Sequence, residues 1–244
     1  SKGGTMAVLT WKKEENVAVI TMTNGENRHN PVFVAEMLQA LDEIEADREV
    51  TALVITSGDE KNWSQGIDLA WLVGRKNAGD LDAIRQFLYG MNKVFRRLLL
   101  YPVPVIASIN GHAAANGAIL ACACDFRFMR ADRGFFFFPE VNIDIPFFPG
   151  MIAFLKKAIP EYKFNEMALT GNRYGAAEMA AHHVFLKASA GAEELKADTM
   201  AFARAMTKKR GVFGEMKRRM HRQIVEIMEK EDPKILEPLA IVTD

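Results

Sequence analysis

The hydrophobic pattern of the chain alternates between short apolar runs and longer stretches with helical spacing. Residues 16–23 (NVAVITMT) alternate and are rich in β-branched side chains, residues 50–57 (VTALVITS) are almost wholly apolar, and residues 103–110 (VPVIASIN) form a third run. Short runs of this kind, bounded by turn residues, predict strands. The second run is typical of a strand that is buried on both faces.

Helical spacing fills the intervals between these strands. After a turn, Asn30 can cap a helix that has Pro31 at its first position and continues through VFVAEMLQALDEIEAD. A long amphipathic helix is predicted over residues 81–100, and Tyr101 and Pro102 end it. This order of apolar strands and helices predicts an α/β domain whose helices cover the sheet.

The second half of the chain becomes progressively more helical. Two strands, DFRFMRA and GFFFFP, follow a helix of small residues. Beyond Pro149 the pattern is mainly helical, and a long pair of helices is predicted from Ala192 to about Lys230. This last part could pack apart from the sheet or on a neighbouring subunit.

Composition and charge exclude several classes of function. Lys and Arg total 31, as do Asp and Glu, so no net field attracts nucleic acid or an anionic membrane. No apolar run is long enough to cross a bilayer, and no signal-peptide pattern is present. Cys122 and Cys124 are spaced for neither a structural disulfide nor a zinc site. We therefore expect a cytoplasmic protein in which these thiols are small core residues.

Two loops rich in small residues are candidates for a binding site. WSQGID places Gly66 just before a helix that starts at about Asp68, and NGHAAANG opens a helix of Ala, Gly and Asn. Small residues permit close approach of either another helix or a ligand, and helix N-termini carry unpaired N–H groups. If the loops met, two such groups could stabilise an oxyanion.

Several better-known catalytic motifs are missing from the sequence. It contains no G-x-G-x-x-G after a strand, no Walker sequence and no G-x-S-x-G. His112 has no evident serine or cysteine partner, so no hydrolase triad is predicted. The adjacent His182 and His183 lack a metal-binding companion, so no metal site is predicted.

The segment GFFFFPEV ends the most apolar run of the chain with a carboxylate, Glu140. A carboxylate among apolar side chains must find a partner or hold its proton more tightly. Alternatively, Glu140 is simply the end of a buried strand that emerges into water.

Three segments in this order and spacing resemble the crotonase (enoyl-CoA hydratase/isomerase) superfamily: WSQGIDL, PVPVIASINGHAAANGAILACACDFRF and FFFFPEVNIDIP. The resemblance extends from Val8 to about Lys230. It implies a spiral of repeated strand-strand-helix units, with residues 6–190 as the catalytic core and the helical residues 191–244 as an oligomerisation part. It also implies an acyl-CoA thioester substrate, no separate cofactor, and a homotrimer or hexamer.

The same resemblance assigns roles to individual positions. The N–H groups of Ile67 and Asn116 would hold the thioester oxygen and stabilise an enolate. The loop that begins at Lys61 would lie along coenzyme A. The substrate contacts implied are Lys61, Trp63, Ser64, Gln65, Gly66, Asp68 and Phe137.

The number of glutamates discriminates among members of this superfamily. Hydratases use two, at the positions of Ile119 and Glu140, so this chain keeps one of them. Hydration divides its work between two acids, whereas moving a double bond needs one base that takes a proton from C2 and returns it to C4. The chain most closely resembles the delta-3,delta-2-enoyl-CoA isomerases of fatty-acid β-oxidation. Glu140 would then carry the proton at the wall of an acyl pocket lined by the phenylalanine run.

Some positions depart from the superfamily pattern. Asn116 stands where many relatives have glycine, and its side chain could intrude on the acyl group or add a hydrogen bond. Asp144 also replaces a glycine, and it is either a turn residue or a second acid near the pocket. Lys217 and Arg218 lie in a basic stretch that is either a solvated helix face or a phosphate contact. Hydration, another lyase or hydrolase reaction on an acyl-CoA, and acyl-CoA binding without catalysis stay open.

Overall fold

A six-stranded sheet forms the centre of the structure, a computed structural model that describes residues 6–243. Within these residues the strands are β1 (Leu9–Glu14), β2 (Val17–Met22), β3 (Ala52–Ser57), β4 (Asn62–Ser64), β5 (Val105–Ile109), β6 (His112–Ala114), β7 (Phe126–Arg130), β8 (Phe136–Phe137) and β9 (Lys187–Ser189). The order in the large sheet is β1-β2-β3-β5-β7-β9. β1 runs antiparallel to β2, and the following pairs are parallel.

Helices cover the sheet and extend beyond it. In the described part of the chain they are α1 (Pro31–Ala46), α2 (Leu69–Asn77), α3 (Leu81–Leu99), α4 (Asn116–Ala123), α5 (Pro149–Ala158), α6 (Glu161–Thr170), α7 (Ala176–Ala181), α8 (Ala192–Ala205), α9 (Arg210–Met220), α10 (Arg222–Lys230) and α11 (Asp232–Leu236). One 3-10 turn covers Glu140–Asn142. No helix among residues 6–243 is both long and apolar enough to span a bilayer.

The predicted caps and strands of the first half are present. Asn30 caps α1 by accepting a hydrogen bond from the N–H of Phe33, and Pro31 is the first helical residue. The strands β2, β3 and β5 and the helix α3 lie where the hydrophobic pattern places them. Strands β1 and β9, at the two edges of the sheet, were not predicted, because short half-exposed strands carry little apolar signal.

Both faces of the sheet are buried, as the apolar strands require. Alternate residues of β2 point to opposite faces: Ala18 and Ile20 join a large core that also contains residues of α1 and α3. Val17 and Val19 face a second core, which α8 completes. Helix α8 therefore packs on the sheet of its own chain and not apart from it. The oligomerisation role of residues 191–244 stays a prediction.

The C-terminal helices differ from the predicted long pair. The segment divides into α8, α9 and α10, with a break after Met206 and another at His221. Lys217 is buried and donates to the carboxylate of Asp125 and to the carbonyl of Leu98, so it belongs neither to a solvated face nor to a phosphate contact. Both predicted roles for Lys217 were wrong. The spacing of residues along α9 cannot show that a lysine on this helix reaches the carbonyl of Leu98 near the end of α3 and the carboxylate of Asp125.

A small parallel sheet, β4-β6-β8, positions the candidate site. Its strands have three, three and two residues, too short for periodicity to identify β4 and β6 within their loops. β6 leads directly into α4, a helix buried along its whole length that contains Cys122 and is followed at once by Cys124. Their expected place in the core is confirmed, and burial raises the pKa of the Cys122 thiol to about 11.

Candidate active site

The two small-residue turns meet at Gly66. A Cβ atom on this residue would lie 3.0 Å from the amide nitrogen of Asn116 and 3.1 Å from the carbonyl oxygen of Ala114. Gly66 also has a φ of +88°, in the region that glycine adopts without steric cost. The contact requires glycine for both reasons, and it brings a residue two positions after β4 beside the residue that begins α4.

Two backbone N–H groups at this contact are free to donate. Ile67 follows Gly66, and Asn116 is the first residue of α4, where an N–H has no partner within the helix. Within residues 6–243, neither N–H donates a hydrogen bond to another group of the protein. Ala115, which precedes Asn116, has a φ of 52°, a strained value for a residue with a side chain. The arrangement fits an oxyanion-binding pair of donors.

Both donors line one apolar cavity of about 100 Å³. Aliphatic side chains from α2, α3, α4 and α5 form much of its wall, and the segment after the 3-10 turn closes it. The principal lining residues are Ile67, Leu69, Leu72, Leu88, Met91, Ala115, Asn116, Ile119, Glu140, Ile143, Ile145, Phe147, Phe148 and Met151. Such a wall suits an apolar group attached to a thioester.

Glu140 lies in the wall of this cavity and is only 6% exposed. The sequence left open whether it emerges into water, and the structure buries it. Pro139 ends the extended segment, and Glu140 begins the 3-10 turn, which directs the chain back across the cavity. The carboxylate Oε2 has no hydrogen-bond partner in the described residues. Burial without a counter-charge raises the pKa of Glu140 to about 8, since desolvation disfavours the charged form.

No second acid faces this cavity within the described residues. Ile119 occupies the position on α4 from which a second glutamate would act, and its side chain lines the wall. Asp144 is exposed, has a φ of 60°, and lines a neighbouring, more open cavity to which Glu140 also contributes. It is therefore a turn residue, the first of the two predicted roles.

The phenylalanine run does not form the acyl pocket, which corrects the sequence prediction. Phe136 and Phe138 are fully buried in the core, Phe135 is exposed, and the guanidinium of Arg173 lies 4.9 Å from the ring centre of Phe137. None of the four lines the cavity. The side chains of β8 alternate between the two sides of the small sheet, so a continuous run cannot face one pocket. Phe147 and Phe148, two adjacent residues just before α5, line the cavity instead.

The loop residues assigned to coenzyme A divide into two groups. Gln65 lines the cavity, and Lys61 is exposed nearby on the same loop. Trp63 and Ser64 are fully buried, and Trp63 donates to the carbonyl of Ile55. Asp68 caps α2 by accepting from the N–H of Trp71. The side chains of Trp63, Ser64, Asp68 and Phe137 are thus occupied by structural contacts rather than directed into the cavity.

Two residues at the site had no signal in the sequence. Arg28 lines the cavity, and its guanidinium donates to the carbonyl oxygens of Gln65, at 3.0 Å, and Ile67, at 3.4 Å. His29 is fully buried behind the two turns. Both lie in the turn NRHNP, more than thirty residues from the loops that they contact, and no local pattern links positions so far apart.

Comparison with known proteins gives a family for this geometry. A model of the family "Enoyl-CoA hydratase/isomerase" matches residues 12–233. The chain is 35% identical over 140 residues to enoyl-CoA delta isomerase 2, peroxisomal, of Arabidopsis thaliana, covering 57% of this chain and 58% of that protein. It is 34% identical over 169 residues to a putative enoyl-CoA hydratase of Thermus thermophilus, covering 68% and 65%. The match therefore spans somewhat over half the length of these relatives.

A solved structure has the same fold over nearly the whole chain. The probable enoyl-CoA hydratase of Mycobacterium tuberculosis superposes with a TM-score of 0.86, covering 96% of both chains at 22% sequence identity. At that identity the likeness establishes the fold alone, and it confirms the crotonase-type α/β architecture expected from the sequence.

Proposed function

Because the chain belongs to the enoyl-CoA hydratase/isomerase family, we propose that it isomerises 3-enoyl-CoA thioesters to 2-enoyl-CoA, with Glu140 as the single acid–base group. The observation that carries this proposal is a buried carboxylate, whose Oε2 has no partner in the described residues, in the wall of an apolar cavity. Ile67 and Asn116 line the same cavity, and their N–H groups are free within those residues. Such a cavity can hold a negative charge on a thioester oxygen and move a proton nearby. Coenzyme A is part of this substrate, and no separate cofactor is proposed.

The residues divide the proposed reaction between them. The thioester carbonyl oxygen accepts from the N–H groups of Ile67 and Asn116, which lowers the energy of the dienolate that forms. The ionised carboxylate of Glu140 takes a proton from C2, and the electron pair of that C–H bond enters the conjugated system. The protonated Glu140 then gives the proton to C4, so the double bond ends at C2 and the enzyme is restored.

The raised pKa of Glu140 suits a group that works in both directions. A carboxylate with a low pKa would take the C2 proton weakly, whereas one with a pKa of about 8 is a stronger base and can still return the proton. The dry wall around it also excludes water, which would otherwise compete for the dienolate.

Hydration is the second candidate, and the similarity to a putative hydratase supports it. Adding water requires a group that activates the water and one that delivers a proton. Glu140 is alone at the cavity within the described residues, and Ile119 faces it from α4. This single-acid wall favours isomerisation.

Acyl-CoA binding without turnover is the third candidate function. The buried carboxylate of Glu140 argues against it, because an unpaired buried carboxylate lowers the stability of the fold and mere binding of an acyl group gives no reason to keep it. A trimeric or hexameric assembly, a role in β-oxidation and a cytoplasmic location remain proposals from the resemblance.

The proposal is tested by supplying 3-enoyl-CoA thioesters of several chain lengths and following the absorbance of the conjugated product. We expect turnover by the wild type and a loss of at least about a hundredfold in kcat with Glu140→Gln. Asp144→Asn is the matched control, because it neutralises an exposed carboxylate four residues away in the same segment, and it should retain activity. Turnover that is equal in wild type and Glu140→Gln would refute the assignment. Formation of a 3-hydroxyacyl product from 2-enoyl-CoA at a comparable rate would favour the hydratase.

A further inference from the structure

His29 connects the two halves of the oxyanion site although it does not line the cavity. His29 is fully buried and lies in the turn before α1. The imidazole is stacked on the ring of Phe33, with ring centres 4.2 Å apart. Burial, with the nearby charge of Arg28, lowers the pKa of His29 to about 3, so the ring is neutral at any ordinary pH.

The backbone of His29 holds the first donor. Its N–H donates to the carbonyl of Gly66 at 2.8 Å, and its carbonyl accepts from the N–H of Asp68 at 2.8 Å. These two bonds lie on either side of Ile67, and they leave the N–H of Ile67 unused. The two peptides that flank Cα of Ile67, including the one that carries this N–H, are therefore each held by a hydrogen bond to His29.

The side chain of His29 holds the second donor. Its Nε2 lies 3.1 Å from Oγ of Ser64, and its Nδ1 lies 2.7 Å from the amide nitrogen of the Asn116 side chain. Ser64 donates its one proton to the carbonyl of Asn27, so it can only accept from His29. Nε2 therefore carries the proton, and Nδ1 accepts from Asn116. The side chain of Asn116 points to His29, which settles the open question of whether it intrudes on the acyl group.

We propose that His29 is a positioning residue that fixes the N–H groups of Ile67 and Asn116 relative to each other. This inference rests on the proposed oxyanion function of those two groups. The main chain of His29 sets the position of Ile67, and its ring, through the Asn116 side chain, sets the first residue of α4. Where a glycine would leave the backbone conformationally free, Asn116 is held in place by the hydrogen bond from its side chain to His29.

Two isosteric variants separate the two hydrogen bonds of the ring. In His29→Asn the amide oxygen takes the place of Nδ1, so it can accept from Asn116, while the bond to Ser64 is lost. In His29→Gln the amide nitrogen takes the place of Nε2, so the bond to Ser64 is kept and the bond to Asn116 is lost. His29→Leu removes both. His221→Gln is the control, because His221 is also buried but contacts neither turn.

The first readout is turnover of 3-enoyl-CoA. Because one oxyanion donor contributes about 10² to 10³ in kcat, we expect a loosened donor to cost about tenfold or more in His29→Gln and His29→Leu, with KM nearly constant. His29→Asn should stay within about threefold of wild type, and in an Asn116→Ala background His29→Gln should add little further loss. Equal losses in His29→Asn and His29→Gln would overturn the inference. The inference would also be overturned if kcat fell in every variant, His221→Gln included, in proportion to the decrease in melting temperature.

The second readout needs no turnover, which separates this inference from the proposed reaction. A saturated acyl-CoA labelled with ¹³C at the thioester carbonyl is bound, and its C=O stretch is recorded by difference infrared spectroscopy. Wild type and His29→Asn should lower the frequency equally, and His29→Gln and His29→Leu should lower it less. If wild type shows this shift but no isomerase activity, the proposed reaction fails and the positioning role stands. If wild type turns over substrate but every His29 variant gives the wild-type frequency, the positioning role fails alone. Absence of any shift in wild type overturns it as well.

Discussion

The buried carboxylate of Glu140 should make the protein progressively less stable as pH rises, and Glu140→Gln should remove this dependence. Glutamine has nearly the same shape, and it cannot ionise. In the folded protein the pKa of Glu140 is raised from 4.5 to about 8 by desolvation. Between these values the unfolded chain has lost the proton and the folded chain still holds it, so the folded state binds more protons and stability falls as pH rises.

The expected magnitude follows from this interval. Each pH unit costs about 1.4 kcal/mol, and an interval of about 3.5 units gives a total of about 5 kcal/mol by pH 8. Below pH 4.5 Glu140 is protonated in both states and costs no stability. The free energy of unfolding then falls as pH rises from 4.5 to about 8, and above that pH the full cost applies. Above pH 8 the buried carboxylate of Glu140 would therefore cost a large fraction of the free energy of unfolding of a typical domain.

The assay is chemical denaturation of both proteins from pH 5 to pH 9 at one protein concentration. The free energy of unfolding of Glu140→Gln minus that of wild type should increase with pH and level off above 8. Glu43→Gln is a control of opposite sign, since hydrogen bonds from Trp11 and Gln39 lower the pKa of this exposed carboxylate. From pH 5 to pH 9 that variant should be less stable than wild type by an amount that does not change with pH, because Glu43 titrates below this range. A constant difference between Glu140→Gln and wild type across this range would refute the burial argument.

Two further predictions concern activity. The kcat/KM of the isomerisation should rise about tenfold per pH unit below 8 and level off above it, because the base must be ionised in the free enzyme; a profile that is flat from pH 6 to 9 would contradict this. Gly66→Ala should reduce kcat by about a hundredfold or more, since its Cβ would lie 3.0 Å from the amide nitrogen of Asn116. Its control is Gly79→Ala, which has a comparable φ of +72° with no atom within 4 Å of the added Cβ, so it should lose some stability and keep its activity. If both glycine variants lost activity equally, backbone strain and not the blocked donor would be the cause.

The sequence predicted those parts of the site that have a local signature. Glu140 stands out because a charge follows an apolar run, and the glycine turns stand out because small residues precede helices. The free N–H groups follow from the general property that a helix N-terminus has unpaired donors. The phenylalanine run and Trp63 were misassigned, since hydrophobicity indicates burial but does not distinguish the wall of a cavity from the interior of a core.

The sequence by itself determined the α/β class and the principal strands and helices, because each depends on neighbours within a few positions. It also singled out Glu140 as the candidate reacting group, through the end of an apolar run and the family resemblance. Only the tertiary structure decided that Gly66 touches Asn116, that Phe147 and Phe148 rather than the phenylalanine run line the cavity, and that Asp144 is an exposed turn residue outside that cavity. It alone brought His29 between Ile67 and Asn116, 87 positions from the latter. Such contacts depend on how sheet and helices pack, and packing is set by the shapes of surfaces that are distant in the chain.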